Sequence, residues 1–242
     1  MSQLRISAKD LGLFALPGFC PRCLWIRLHT KNKLPYQIFP GIFSSIDSYT
    51  KKYVCSYFER YGKFPDWLAS EAEFIDLIKG THHSNFNILD QNTGILLTGV
   101  PDEIFVLKDR SYFILDYKTS RYTEAQDSLL PLYEVQLNAY AYIAERNRLS
   151  PVKKIALAYM EPQTALTEEN VEKVKTENGF YMPFSGKILQ LNLKPEIISQ
   201  YLSEARELYN QPSPPNSKKE CKDCLLLNNL FEMLNAKQDE NA

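Results

Sequence analysis

The sequence predicts an α/β fold, a mixed β-sheet with helices on its faces. Three observations carry this. Apolar residues recur at a helical period toward both ends of the chain. The middle instead holds two hairpin signals, apolar runs split by turn residues. After the hairpins the signals run helix, strand, strand, helix. The chain has 242 residues, 44% hydrophobic and 24% charged, which are ordinary globular values. They exclude a mainly disordered chain, a coiled coil and a collagen-like fibre. No apolar run approaches the ~20 residues of a membrane span. Met1 to Asp10 carries polar and charged residues where a signal peptide has its apolar region. The expectation is a soluble cytoplasmic protein with no membrane partner. It forms one domain over 1–236, with a core at about 41–210, terminal segments at 17–30 and 217–232, and a disordered tail at 237–242.

In chain order, Ser7 can cap a helix over Ala8–Leu16, with Asp10 three residues on as an imperfect capping box, and Pro17-Gly18 stops it. A second helix passes through Leu24–Leu28, and Lys31–Pro40 is a polar connection. Over Ser45–Arg60, Ile46, Tyr49, Tyr53, Val54, Tyr57 and Phe58 give an amphipathic helix. A shorter helix is expected over Ser70–Ile78, ending at Gly80. Phe86–Leu89 and Ile95–Thr98 flank a turn-rich linker, Asp90 to Gly94. Glu103–Leu107 and Ser111–Tyr117 flank Lys108-Asp109-Arg110. Leu132–Arg146 is helical, Lys153–Met160 and Gly186–Leu193 are strands, and Glu196–Tyr209 is an amphipathic helix. Gln211–Asn216 is too proline-rich for either element. A short apolar helix and the polar tail follow.

Net charge is −1, which neither supports nor excludes a nucleic-acid partner. The 12% aromatic content, with 15 Tyr and 13 Phe, reads as core packing rather than a stacking surface. Four of five cysteines form two pairs, Cys20-Pro-Arg-Cys23 and Cys221-Lys-Asp-Cys224. In a reducing compartment such pairs are more often metal ligands or redox centres than disulfides. One shared metal would bring the two chain ends together as a clasp, and four thiolates suit Zn²⁺ or an iron–sulfur cluster. Cys55 falls on the apolar side of its helix and reads as a buried core residue.

The chemistry is expected in the middle of the chain. Residues i and i+2 of a strand share a face, so Asp116 and Lys118 project together. The hairpin folds Asp102 back beside Asp116. Two close carboxylates need a cation, and Mg²⁺ or Mn²⁺ takes oxygen ligands, with the backbone carbonyl of Tyr117 as a nearby third oxygen. Lys118 beside such a metal can orient a water, accept its proton or offset charge on a phosphate.

Gly99-Val-Pro-Asp102, then Asp116-Tyr-Lys118, then Gln136-Leu-Asn-Ala-Tyr140 resembles the motif set of the PD-(D/E)XK nuclease superfamily. It is similar in particular to the RecB-like branch, which includes the CRISPR-associated RecB-type exonucleases and the AddB nuclease domain. The resemblance spans roughly Ser45 to Ile143. It implies a restriction-endonuclease-like core and a metal-dependent DNA nuclease, an exonuclease of repair, recombination or defence acting on single-stranded or free DNA ends. It makes Asp102 and Asp116 metal ligands and Lys118 catalytic. Gln136 and Tyr140 become helix residues that support the site and contact the DNA backbone. Relatives place a His in an upstream helix. Here Gly41 to Asp47 has none, and Asp47 or Glu59 is the substitute, with His82 and His83 as further candidates. The resemblance also implies a four-cysteine [4Fe–4S] cluster, although two-plus-two cysteines replace the usual one-plus-three and keep Zn²⁺ open. Lys51, Lys52, Arg121, Lys153 and Lys154 are candidate phosphate contacts. The competing reading is a catalytically inactive nucleic-acid-binding or assembly subunit of a larger complex.

Overall fold

The structure is a computed structural model that describes residues 3–31, 40–79, 85–123 and 128–239. Its elements in chain order are β1 (Arg5–Ser7), α1 (Ala8–Gly12), a 3-10 turn (Leu13–Ala15), α2 (Pro21–His29), α3 (Gly41–Tyr61), α4 (Asp66–Ala69), β2 (Phe74–Leu77), β3 (Asn87–Asp90), β4 (Ile95–Thr98), β5 (Glu103–Leu107), β6 (Tyr112–Lys118), α5 (Leu130–Arg146), β7 (Val152–Pro162), α6 (Val171–Val174), β8 (Lys175–Thr176), β9 (Gly179–Phe180), β10 (Phe184–Gln190), a second 3-10 turn (Pro195–Ile197), α7 (Ile198–Tyr209) and α8 (Lys222–Asp239).

The larger sheet has the order β10-β7-β6-β5-β2. Its β6–β7 pair is parallel and the other pairs are antiparallel. A parallel pair needs a long crossover, and α5 supplies it. A smaller sheet, β1-β4-β3, joins β1 parallel and β3 antiparallel to β4. This is the mixed sheet flanked by helices that the order of signals predicts.

Strand alternation divides the interior in two. Phe105, Phe113, Leu115 and Tyr117 pack with Val54, Phe64 and Leu68 on the α3–α4 side. Ile104, Ile114, Ile155 and Leu157 pack with α5, α7 and the smaller sheet on the other. Phe105 and Phe113 are fully buried. Each such side chain contributes roughly 1.5–3 kcal/mol relative to exposure. The run from Val135 to Ala144 is buried without interruption, so α5 is covered on all sides. Its one fully buried amide, Asn138, donates to the carbonyls of Glu134 and Asn192 and accepts from the Lys194 amide at 2.6 Å. On α7, Ile198, Leu202, Ala205 and Leu208 recur at helical spacing and are all buried.

Several expectations are corrected. Ser70–Ile78 is not a helix. The helical turn is Asp66–Ala69, and Phe74–Leu77 is an edge strand on β5. Nine residues of apolar spacing fit either element. Phe74 decides it by packing against Phe64, Phe105 and Phe113. Arg5–Ser7, where the sequence predicts only Ser7 as a helix cap, is a strand on β4, with Ile6 buried. Ser7 caps α1 as expected, accepting from the Asp10 amide at 3.0 Å. The helix breaks into a 3-10 turn after Gly12 rather than reaching Leu16. The last helix is long, and it runs through the start of the expected tail to Asp239. Tyr49 and Tyr53, counted in the apolar stripe of α3, are exposed, and Cys55 is half-buried against the smaller core.

Candidate active site and cysteine cluster

The β5–β6 hairpin builds the first part of the site. Glu103 pairs with Leu115, and continuing that register places Pro101 opposite Tyr117. Proline has no N–H to give, so the ladder stops there. The Tyr117 amide donates instead to Asp102 Oδ2 at 2.6 Å. A strand residue points its N–H and C=O to the same neighbour, so the Tyr117 carbonyl faces this edge as well. Pro101 therefore ends the pairing and Asp102 fills the vacated position. On the sheet face shared with Ile114, Asp116 Oδ2 lies 2.5 Å from Lys118 Nζ. The ammonium also sits 4.1 Å from the centre of the Tyr133 ring on α5, a cation–π contact that fixes its direction.

Helix α3 adds a second pair. Asp47 and Lys51 are neighbours one turn apart, joined at 2.8 Å. Lys51 Nζ reaches on to Asp102 Oδ1 at 2.6 Å. Thus Asp47, one of the two acids expected to substitute for the upstream His, comes to the edge of the site through Lys51.

Helix α5 closes the opposite side. Gln136 Nε2 donates to Tyr140 Oη at 2.6 Å and reaches Asp116 Oδ1 at 3.4 Å. Gln136 Oε1 is buried with no partner among the described residues. The Tyr140 ring lies directly over Gly99, where an added Cβ would meet its Cε1 at 2.4 Å and Cδ1 at 2.8 Å. The glycine of Gly99-Val-Pro-Asp102 is thus required by a tyrosine of the third motif.

The electrostatics call for positive charge. Burial pushes the Asp102 carboxyl up to about 6, the Asp116 charge adds to this, and Lys51 opposes it. Burial and the neighbouring Asp102 push Glu103 up to about 8. Burial works against the Lys51 ammonium, yet the Asp102 and Asp47 carboxylates raise it above the usual lysine range. A buried carboxylate raised in this way is relieved by an oxygen-liganded divalent cation. Asp102 and Asp116 bring carboxylates into this region, and Lys51 ties Asp47 to Asp102.

Asp47, Asp102, Asp116, Lys118, Gln136 and Tyr140 are therefore gathered in one region. Glu59 is not among them and pairs with Lys79 at 2.6 Å. His82 and His83 lie outside the described residues. Lys51 holds carboxylates rather than standing free for phosphate. Lys153 pairs with Asp109 at 2.5 Å, and Lys154 donates to the Glu71 carbonyl at 2.8 Å. The register Phe113↔Lys154 puts these two at the opposite end of the sheet from Lys118. Lys52 and Arg121 are exposed. Sequence reasoning missed two residues of the region, Lys51 as the bridge and Glu103 as a buried acid. The four-residue spacing of Asp47 and Lys51 was a readable signal for their pairing. Nothing local placed that pair on Asp102.

The two cysteine pairs meet. Cys20 and Cys224 Sγ are 3.7 Å apart, Cys23 and Cys221 are 3.5 Å apart, and Cys23 and Cys224 are 3.4 Å apart. All four sulfurs lie within 4.8 Å of one another, and none is in a disulfide. A tetrahedral ion with metal–sulfur bonds of ~2.3 Å sets sulfurs about 3.8 Å apart. The donor set and spacing fit a metal. The Lys218 amide donates to Cys20 Sγ at 3.3 Å. Although burial opposes it, that bond and the neighbouring thiols bring Cys20 down to about 7, nearer the thiolate a metal needs.

The family model described as PD-(D/E)XK nuclease superfamily matches residues 25–228. No curated protein matches the chain. Among solved structures, the crystal structure of SSO0001 is similar over 88% of this chain and 80% of that one, with 15% identity and a TM-score of 0.42. No helix among the described residues is long and apolar enough to cross a membrane.

Proposed function

The chain belongs to the PD-(D/E)XK nuclease superfamily, and from that premise we propose that it is a RecB-like, metal-dependent DNA nuclease that trims single-stranded or free ends. One observation carries the reading. Asp102 and Asp116 converge from adjacent strands, with Lys118 on the face of Asp116 and Gln136 behind it. Asp102, Asp116 and the Tyr117 carbonyl would hold Mg²⁺ or Mn²⁺, with Asp47 as a further candidate. Such an ion supplies Lewis acidity toward a phosphate oxygen and makes water more acidic.

Lys118 is the proposed catalytic residue. Its ammonium offsets the charge that develops on the attacked phosphate, and the Tyr133 ring and Asp116 keep it aimed. Gln136 and Tyr140 are positioning residues behind Asp116; both are buried, so the contact with the DNA backbone expected of them falls to exposed residues instead. The four cysteines are proposed as a structural metal clasp, the donor set of a [4Fe–4S] cluster or of Zn²⁺. The present sulfur spacing suits a single ion, because a four-iron cluster would spread the thiolates. Iron and sulfide content against stoichiometric zinc identifies the metal.

A second reading, a nucleic-acid-binding or assembly subunit without turnover, is favoured by the Lys51 ammonium seated between Asp47 and Asp102. Purified protein should be incubated with end-labelled single- and double-stranded DNA, with and without Mn²⁺ or Mg²⁺. The nuclease reading expects metal-dependent shortening, faster on single strands. Intact DNA at every metal concentration would support the second reading. A role in repair, recombination or defence, within a larger complex, follows from the first.

A further inference from the structure

Helix α3 carries tyrosine at every fourth position from Tyr49 to Tyr61. The last three rings touch in turn, with centroids 5.9 Å apart for Tyr53–Tyr57 and 4.7 Å for Tyr57–Tyr61. The row spans about 18 Å at 1.5 Å per residue. Tyr49, Tyr53 and Tyr61 are 71%, 44% and 54% exposed. Core-facing tyrosines would not be left so open, and a contiguous exposed apolar stripe marks an interaction surface. Tyr49 stands two residues from both Asp47 and Lys51, which puts it on the side of α3 away from the pair that reaches Asp102, so the row runs along the outer face of the helix. At the far end Arg60 stacks 5.3 Å from the Tyr61 ring centre, and Lys52 is exposed beside the row.

We propose that Tyr49, Tyr53, Tyr57 and Tyr61 form a stacking track for the bases of a single-stranded nucleic acid along the outer face of α3. Aromatic faces accept any base, and nearby cations follow the backbone, which is how single strands are held without sequence preference. A base-paired duplex hides its base faces and would not use the track. The inference rests on the nuclease reading for its choice of a nucleic acid, and on the exposed rings and neighbouring cations for its chemistry.

The test is binding of fluorescent oligodeoxythymidine and of a matched duplex, read by anisotropy without divalent metal so that nothing is cleaved. Tyr49→Ala combined with Tyr53→Ala should weaken single-strand binding about 30-fold or more, at 1–3 kcal/mol per stacked base. Duplex binding should move far less. Tyr49→Phe with Tyr53→Phe should keep single-strand binding, because the ring remains. The salt dependence should be unchanged in all tyrosine variants and reduced in Lys52→Ala with Arg60→Ala. Both tyrosines project from the helix into solvent, and Tyr49→Ala alone serves as the mildest variant. Wild-type affinity in the alanine variants, or equal loss in the phenylalanine ones, overturns the track and assigns the stripe to a protein partner. Tyrosine-dependent binding by a protein that cleaves nothing would keep the track and remove the nuclease. Cleavage with tyrosine-independent binding would do the reverse.

Discussion

Replacing Gly99 by alanine should damage this protein through Tyr140. The added Cβ would lie 2.4 Å from Tyr140 Cε1 and 2.8 Å from Cδ1, and 3.2 Å from the Ala8 Cβ. The first two distances are well inside contact, and Tyr140 is buried on α5 with little room to retreat. Overpacking of this kind costs about 1–3 kcal/mol. In a domain of this size each kcal/mol lowers Tm by roughly 2–4 °C. Gly99→Ala should therefore melt about 2–12 °C below wild type. Displacing the ring also breaks the 2.6 Å bond from Gln136 to Tyr140 Oη, so DNA cleavage should fall with stability. The cause is isolated by a double-mutant cycle. Tyr140→Phe keeps both clashing carbons, so Gly99→Ala should cost as much in that background as in wild type. Tyr140→Ala removes them and leaves only the Ala8 contact, so most of the cost should vanish. Thermal unfolding of wild type, the three single variants and the two double variants reads the cycle. An equal penalty for Gly99→Ala in the Tyr140→Phe and Tyr140→Ala backgrounds would refute the link between the first and third motifs.

Asp116→Ala or Lys118→Ala should reduce metal-dependent cleavage by orders of magnitude while the circular dichroism spectrum stays native, and Gln136→Ala should reduce it less; undiminished rates in both of the first two variants would move the site elsewhere. Cys20, Cys23, Cys221 and Cys224 should bind one metal centre, and Ser at any of them should lower the metal content and destabilise the domain by about 3–5 kcal/mol, as loss of a long-range crosslink does. Metal analysis and unfolding of protein prepared without oxygen or chelators check this, since a centre joining positions 198 apart turns binding free energy into folding free energy. Glu103, raised to about 8 by burial, favours the fold when protonated, so its contribution is full below about pH 4.5 and is lost as pH rises through 8. Glu103→Gln should gain stability over wild type across that range, by on the order of 4–5 kcal/mol at most; a Tm difference that stays flat from pH 5 to 9 in metal-free buffer would contradict it.

Local pattern determined much of this protein. Two-residue alternation set Asp116 and Lys118 on one face, and the two hairpin signals delivered β3–β4 and β5–β6 in register. Paired cysteines at both ends announced a clasp, because thiols in such spacing have few other uses. Helical period correctly located α3, α5 and α7. Period alone could not say which side of α3 is the inside. Tyr49 and Tyr53 satisfy an apolar stripe as well as Val54 does, and only the docking of the helix on β5 and β6 left the tyrosines in water and buried Val54. The Phe74 strand was hidden for a related reason. Its stabilisation comes from Phe64, Phe105 and Phe113, which are 10 to 39 residues away in the chain. The same holds at the site. Sequence supplied Asp102, Asp116, Lys118, Gln136 and Tyr140 as chemical types in a recognisable order. Tertiary structure alone laid Lys51 across Asp47 and Asp102, enclosed Glu103, and seated Tyr140 on Gly99, because each is a contact between elements whose approach no local preference encodes.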